Sequence, residues 1–164
     1  MSFLPADNTV AYQKAGTVSL NRVFFIVSSE TASASELLIN NLRPYLDVKL
    51  VGDTTYGKPV GFFPISIFNY AFYPISFKTV NSAGSAEYYD GFVPDKLTAD
   101  GVNKNWGDAT EPSLAAALHY ISTGSFRTVS GNDENARLLS AQKQYQPLNS
   151  KLYDQKFTGM FKTK

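Results

Sequence analysis

The sequence contains no cysteine and only one histidine among its 164 residues. The lack of cysteine excludes disulfide bonds, thiolate metal sites and a cysteine nucleophile. The single histidine, His119, lies in the regular apolar pattern "LAAALHYI". We therefore interpret it as a packed or surface residue of a helix, and a catalytic triad that depends on histidine would have to rest on this one residue.

Long apolar runs and an excess of charge are also missing. No run approaches the roughly 20 apolar residues of a membrane-spanning helix, and Met1 to Val10 lack the basic start and apolar run of a signal peptide. The formal net charge of +1 gives no reason to expect a nucleic acid or an anionic membrane as a partner. We expect no membrane span, no nucleic-acid partner, no cofactor and no metal ion.

The first half of the chain predicts a strand, a helix and a second strand. "RVFFIVSS", Arg22 to Ser29, and "VKLVGD", Val48 to Asp53, are short apolar runs typical of buried strands. Between them, apolar residues recur three and four positions apart, as on one face of a helix: Ala34, Leu37, Leu38, Leu42 and Tyr45. Pro44 lies where this pattern stops. Such a βαβ unit favours parallel pairing of its strands with a right-handed crossover.

The aromatic segment Phe62 to Val80 predicts a β-hairpin with Asn69 and Tyr70 near its tip. Its two arms repeat a short motif, "FFPIS" and "FYPIS". Each arm contains one proline, Pro64 or Pro74, and proline removes a donor from a strand ladder, so we expect edge strands.

The rest of the chain contains one strong helical signal. "EPSLAAALHYIS", Glu111 to Ser122, has a proline in its first turn and Gly124 just beyond its end. We expect residues 81–95 to be a loop with room for one short strand. We divide the chain into an irregular segment 1–21, an α/β core 22–130 and a polar, partly helical extension 131–164 with a weaker helix at 135–145.

Two motifs match known ligand-binding loops only in part. "GDTTYGKP", Gly52 to Pro59, has the glycines and lysine of a phosphate-binding loop, but Pro59 replaces the required hydroxyl residue and has no N–H. "DGVNKNWGDATE", Asp100 to Glu111, has the acidic ends of a calcium loop, but its interior offers too few oxygen ligands. We interpret both as ordinary loops.

The serine-rich stretch "SSETASASE" before the first predicted helix allows two interpretations. Ser33 and Glu36 have the spacing of a capping box, in which both side chains satisfy free backbone N–H groups. A serine hydroxyl at a helix start can also be a nucleophile, because the free N–H groups there stabilise an oxyanion. Lys58 follows the second strand of the βαβ unit, at the same end of the sheet, and a lysine kept neutral by burial can act as the base.

Three segments together resemble the C-terminal processing peptidases, also called tail-specific proteases, which are Ser/Lys serine peptidases. These segments are "TASASE", the turn "GDTTYGKP" with a lysine 25 positions after Ser33, and "KTVNSAGSAEYYDGFVPD". The resemblance extends from about residue 22 to residue 124. It implies an α/β fold with a ClpP/crotonase-like core that is incomplete on its N-terminal side.

The resemblance also implies roles for individual residues. Ser33 would be the nucleophile, Lys58 the general base and Glu36 an orienting residue. The backbone N–H of Ala34 would be one oxyanion donor, and a glycine of an upstream segment would supply the second. The substrate would be a peptide or protein, including apolar C-terminal tails, and no cofactor is implied. We expect the exposed edges of the aromatic hairpin to bind an extended peptide at Phe63 and Tyr73.

The chain departs from the family in two ways. Many members have a glutamine four positions after the lysine, and this chain has Phe62 there. Members also carry an upstream PDZ-like domain and a glycine-rich segment, and neither precedes Arg22, so we expect a fragment of a longer protease. Family members usually work outside the cytoplasm, in the periplasm or cell envelope. The alternatives are a non-catalytic peptide-binding or scaffold domain with this fold and an enoyl-hydratase-like enzyme, for which no acyl-carrier feature is present.

Overall fold

The computed structural model describes residues 4–11, 13–99, 103–127 and the backbone of 160–162. One turn of 3₁₀-helix at Pro5–Asn8 precedes the regular elements. In chain order these elements are β1 (Arg22–Val27), α1 (Ala34–Leu42), β2 (Asp47–Gly52), β3 (Val60–Phe62), β4 (Ile65–Ile67), β5 (Tyr70–Phe72), β6 (Ile75–Lys78), β7 (Lys96–Leu97), α2 (Pro112–Thr123) and β8 (Met160–Lys162).

The first three elements form the predicted βαβ unit. Strands β1 and β2 pair in parallel, from Arg22 opposite Asp47 to Val27 opposite Gly52. Helix α1 ends at Leu42, two residues before Pro44, as the sequence pattern predicts. Strand β7 adds in parallel on the other side of β2, so that the sheet order is β1, β2, β7. Because β1 and β2 are parallel, the turns that follow them lie at the same end of the sheet.

Successive side chains of β1 point to opposite faces of this sheet and contact different helices. Phe25 packs against the core cluster. This cluster consists of Ile39 of α1 and four other buried side chains: Val27, Leu50, Tyr88 and Phe92. Phe24, on the other face, meets Tyr120 of α2 edge to face with ring centroids 5.6 Å apart. Helices α1 and α2 therefore cover opposite faces of the sheet, as in other α/β folds.

Helix α2 has the predicted start and end. The carboxylate of Glu111 accepts hydrogen bonds from the backbone N–H groups of Ser113 and Leu114, at 3.0 and 2.7 Å. Pro112 occupies the first turn, where its missing N–H costs nothing. Gly124 ends the helix in the left-handed conformation, with φ of 79°.

The aromatic segment differs from the prediction of one continuous hairpin. It forms two consecutive antiparallel pairs, β3 with β6 and β4 with β5. Pro64 and Pro74 lie in the breaks between these pairs. The interpretation that they mark edge strands is confirmed for β3, β6 and β4, each of which has one neighbouring strand within the described residues, and is wrong for β5. Strand β5 is not an edge, since β8 pairs along its other side.

The tip of the hairpin also lies one residue earlier than predicted. Phe68 and Asn69 form the turn, and Tyr70 already belongs to β5. Phe68 has a positive φ of 52° and is 97% exposed. Most of the large side chains around it are exposed as well: Ile65, Ile67, Tyr70, Phe72, Tyr73, Ile75 and Phe77. An apolar surface of this kind is typical of an interaction site.

Several predictions are settled only for the described part of the chain. Residues 81–95 form a loop, and the short strand expected there forms just after it, at Lys96–Leu97. The helix predicted at 135–145 lies outside the described residues, and the division at residue 131 stays a prediction. Across the described ranges, no helix is long and apolar enough to cross a bilayer, and no acidic or histidine cluster could hold a metal ion.

Candidate active site

Ser33 lies at the turn between β1 and α1 in a strained backbone conformation. Its φ and ψ are 54° and −110°, and it is one of two non-glycine residues with positive φ in the described ranges. Such a conformation costs about 1–3 kcal/mol and persists only where the surroundings enforce it. A strained serine between a strand and a helix is how α/β-hydrolases expose their nucleophile. The strain therefore marks Ser33 as a candidate functional residue.

The carboxylate of Glu36 lies fully buried below this turn and accepts four hydrogen bonds. Its Oε2 accepts from the backbone N–H of Ser33 at 3.0 Å and from that of Lys58 at 2.8 Å. Its Oε1 accepts from the hydroxyl of Thr55 at 2.6 Å and from the backbone N–H of Gly57 at 2.7 Å. These bonds compensate the cost of burying a carboxylate.

One oxygen of Glu36 thus joins the two turns that carry the candidate nucleophile and base. The backbone nitrogens of Ser33 and Lys58 both bond to Oε2, so they lie within about 6 Å of each other. The capping box predicted for Ser33 and Glu36 is also present. Capping and a functional role are therefore compatible, because the same carboxylate serves the helix start and the turn with Lys58.

Further hydrogen bonds fix the turn at residues 54–58. The backbone N–H of Tyr56 donates to the carbonyl oxygen of Thr31 at 2.9 Å, and that of Thr55 donates to the carbonyl of Phe92 at 3.1 Å. The backbone N–H of Phe92 in turn donates to the Thr55 hydroxyl at 2.7 Å. A chain of hydrogen bonds therefore runs from Phe92 through Thr55 to Glu36.

Two glycines allow this turn and the loop at residues 88–92 to approach so closely. Gly57 and Gly91 have φ of 89° and 80°. A Cβ on Gly57 would lie 2.2 Å from the carbonyl oxygen of Tyr89, and one on Gly91 would lie 1.9 Å from that of Thr55. Each glycine is thus required twice, for its left-handed backbone and for the contact across the two loops.

The structure excludes a phosphate-binding role for this turn. The N–H groups of Gly57 and Lys58 are bonded to Glu36, so they are not free to bind a phosphate. Pro59 is buried, and the chain continues into strand β3 rather than into a helix. Glu111 of the incomplete calcium motif caps α2 instead.

Lys58 is half-buried, and its ammonium group lies over an aromatic ring. Its Nζ is 4.6 Å from the centroid of the Phe62 ring. Among the described residues, no carboxylate lies within ion-pair distance of Lys58. Phe62 is thus the group that meets the lysine head, at the position where the resembling family often has glutamine.

Tyr88 is a buried tyrosine of the core cluster beside the site. Burial raises the pKa of its phenol, the Thr79 hydroxyl opposes this rise, and the charge of Glu36 adds to it. A phenol with a raised pKa stays protonated at neutral pH. Tyr88 therefore belongs to the core, where its ring stacks on Phe92 with centroids 4.5 Å apart.

The structure brings together some of the predicted site residues and leaves others apart. Ser33, Glu36 and Lys58 meet through Glu36, and Ala34 is the first residue of α1, where the N–H has no acceptor inside the helix. Phe63 packs against Phe77 in the hairpin, with ring centroids 4.9 Å apart. Tyr73 meets Phe62 edge to face at 6.2 Å. His119 lies in α2, as expected.

Sequence reasoning missed Thr55, Gly57 and Gly91. Thr55 donates to Glu36, and the two glycines make the close approach of the loops possible. The glycines in "YGKP" and "YDGF" were the available signal, because an isolated glycine beside large residues often marks a close backbone contact.

Comparison with solved structures finds a likeness in overall fold. A Bacteroides fragilis protein with a provisional assignment as an S41 protease, in a crystal structure at 2.00 Å, matches with a TM-score of 0.60 and 26% sequence identity. The match covers 65% of this chain and 29% of that protein, so the chain corresponds to less than a third of its length.

No protein-family model and no curated protein matches the chain. The structural likeness nevertheless supports the resemblance to S41 peptidases and a mixed α/β, serine peptidase-like fold.

Proposed function

We propose that this chain carries the Ser/Lys site of a serine peptidase that cleaves near protein C-termini, within a ClpP/crotonase-like core. The observation that carries the proposal is the Glu36 carboxylate, which holds the backbones of Ser33 and Lys58 on one oxygen. The strain at Ser33 and the likeness to an S41 protease support it.

The proposed reaction uses the residues as follows. Lys58 in its neutral form accepts the proton of the Ser33 hydroxyl while Oγ attacks the substrate carbonyl. The backbone N–H of Ala34, at the positive end of α1, stabilises the oxyanion. Lys58 then delivers the proton to the leaving amine, and water hydrolyses the acyl-enzyme. A second oxyanion donor is expected from a glycine outside the described core.

Covalent labelling with a fluorophosphonate probe tests this proposal. We expect the unaltered chain to react and Ser33→Ala to lose all labelling, because the nucleophile is gone. Lys58→Ala should lower the labelling rate at least about 100-fold, the usual contribution of a positioned base. In-gel fluorescence and intact mass measure the labelled fraction.

Ser35→Ala is the matched control, because Ser35 is an exposed serine two residues away on the same helix. Its labelling should equal that of the unaltered chain. The enzyme proposal is wrong if the folded, unaltered chain does not react, or if Ser33→Ala is labelled as fast as Ser35→Ala.

A second candidate function is a non-catalytic peptide-binding or scaffold domain. The contact between Lys58 and Phe62 favours it, because an aromatic face stabilises the charged ammonium, whereas a base must be neutral. In that case Ser33 and Glu36 only cap α1. Absence of labelling together with peptide binding would support this candidate.

Both candidates place peptide binding on the hairpin at Phe63 and Tyr73. The doubly substituted Phe63→Ala, Tyr73→Ala chain should bind a fluorescent peptide with an apolar C-terminal tail at least about tenfold more weakly, since two aromatic contacts are lost. Fluorescence anisotropy measures the affinity, with Leu118→Ala, an exposed residue of α2, as the control. An unchanged affinity would remove this binding site. By family resemblance we place the protein outside the cytoplasm.

A further inference from the structure

Among the described residues, the head of Lys58 meets an aromatic ring and no hydrogen-bonding partner. Nζ lies 4.6 Å from the Phe62 centroid, well within the roughly 6 Å range of a cation–π interaction. The carboxylate of Glu36 accepts from the backbone N–H of Lys58 and uses both oxygens for the hydrogen bonds described above. Glu36 therefore fixes the backbone position of Lys58, and the Phe62 ring fixes the position of its Nζ.

The path of the chain explains why Phe62 can do this. Lys58 and Phe62 are four residues apart in an extended segment, so their side chains leave on the same face. Pro59 is fully buried between them and restricts Lys58 to extended backbone angles. The direction of the lysine side chain is therefore set toward the ring before the cation–π contact forms.

The ring of Phe62 is itself held in place from the hairpin. Tyr73 meets it edge to face, with centroids 6.2 Å apart and an interplanar angle of 77°. This is a favoured aromatic geometry. The register shift in the pairing of β3 with β6 leaves Ser76 of β6 as the extra residue, so β3 itself keeps its regular alternation up to Phe62. The hairpin thus connects through Tyr73 and Phe62 to the nitrogen of Lys58.

We propose that Phe62 is a positioning residue, which holds Nζ of Lys58 in place for proton transfer from Ser33. This inference rests on the proposed function of Lys58. It gives a physical role to Phe62, which stands where many members of the resembling family have glutamine. The ring packs against the end of the lysine side chain, so that the amine accepts the Ser33 proton from a fixed position.

The first test is spectroscopic and does not depend on activity. In a chain labelled with ¹³C at lysine Cε, the ring current of Phe62 should shift the Lys58 Hε resonances upfield. The resonance is identified by its absence from Lys58→Ala. The shift should disappear in Phe62→Leu, which keeps an apolar side chain without a ring, and remain in Phe62→Tyr and in Phe72→Leu. Phe72 is an exposed aromatic residue of the same hairpin and serves as the control.

The second test is kinetic. On the upper plateau of the pH–rate profile, where Lys58 is neutral in both chains and only the position of the amine differs, Phe62→Leu should lower the maximal rate of fluorophosphonate labelling at least about twofold, with no change in the probe concentration for half-maximal rate. Phe62→Tyr should restore the rate. If Phe62 only stabilised the fold, Phe72→Leu would lower the labelling rate by the same factor as Phe62→Leu.

Unshifted Lys58 resonances in the unaltered chain, or an equal rate loss in Phe72→Leu and Phe62→Leu, would overturn the inference. If the unaltered chain is not labelled at all, the proposed function fails, and the resonance shift still decides whether Phe62 holds Lys58. The two failures are therefore distinguishable.

Discussion

Replacing Glu36 by leucine is expected to destabilise the protein by at least about 3 kcal/mol. The substitution leaves four donors without an acceptor: the N–H groups of Ser33, Gly57 and Lys58 and the hydroxyl of Thr55. Leucine is of similar size, so the loss reflects these unpaired groups rather than a cavity. Urea unfolding followed by circular dichroism measures the free energy of unfolding.

Glu87→Leu is the control, because Glu87 is an exposed carboxylate whose ion pair with Lys78 is screened by solvent and adds little to stability. Glu36→Gln should fall between the two, since its amide keeps one acceptor oxygen but turns two donors toward the N–H groups. Equal unfolding midpoints for Glu36→Leu and Glu87→Leu would show that the buried carboxylate does not hold the two turns together.

Replacing Gly91 by alanine is the second substitution with a large expected effect. A Cβ at this position would lie 1.9 Å from the carbonyl oxygen of Thr55, at a φ of +80°. Neither backbone can yield without breaking the hydrogen bonds between Thr55 and Phe92. We expect a loss of about 3 kcal/mol or more in unfolding free energy, and a lower labelling rate of Ser33, because Thr55 also donates to Glu36.

Gly84→Ala separates the two causes of that loss. Gly84 has nearly the same φ, +77°, but a Cβ there meets nothing within 4 Å. The free energy of unfolding of this control should fall only by the cost of an alanine in the left-handed conformation, about 1–2 kcal/mol. Thermal unfolding of both variants gives the comparison. If Gly91→Ala and Gly84→Ala were equally stable, the close contact between the two loops would be contradicted.

Local patterns were sufficient to predict the βαβ unit and α2. The apolar run of β1, the helical spacing of α1 and the proline and glycine around α2 each act within a few neighbouring residues, and the structure confirms all three. The hairpin was predicted less well. Its prolines restrict the strands locally, but whether they lie at an edge or at a break depends on how the two arms pair.

The candidate site was only partly accessible from sequence. Ser33, Glu36 and Lys58 could be selected by residue type, spacing and family resemblance. The bonds that unite them join residues 21 and 22 positions apart, from Glu36 to Gly57 and Lys58. Such contacts depend on the tertiary fold, and so does the position of the Phe62 ring. The strain at Ser33 is likewise imposed by its surroundings and has no sequence signature of its own.

The most direct test of the central claim is to locate the fluorophosphonate adduct by tandem mass spectrometry of the digested, folded chain. Our account predicts one adduct, on Ser33, formed in the unaltered chain and strongly reduced in Lys58→Ala. An adduct on Ser35 or another serine, or an adduct on Ser33 that forms equally fast without Lys58, would contradict the proposed Ser/Lys site.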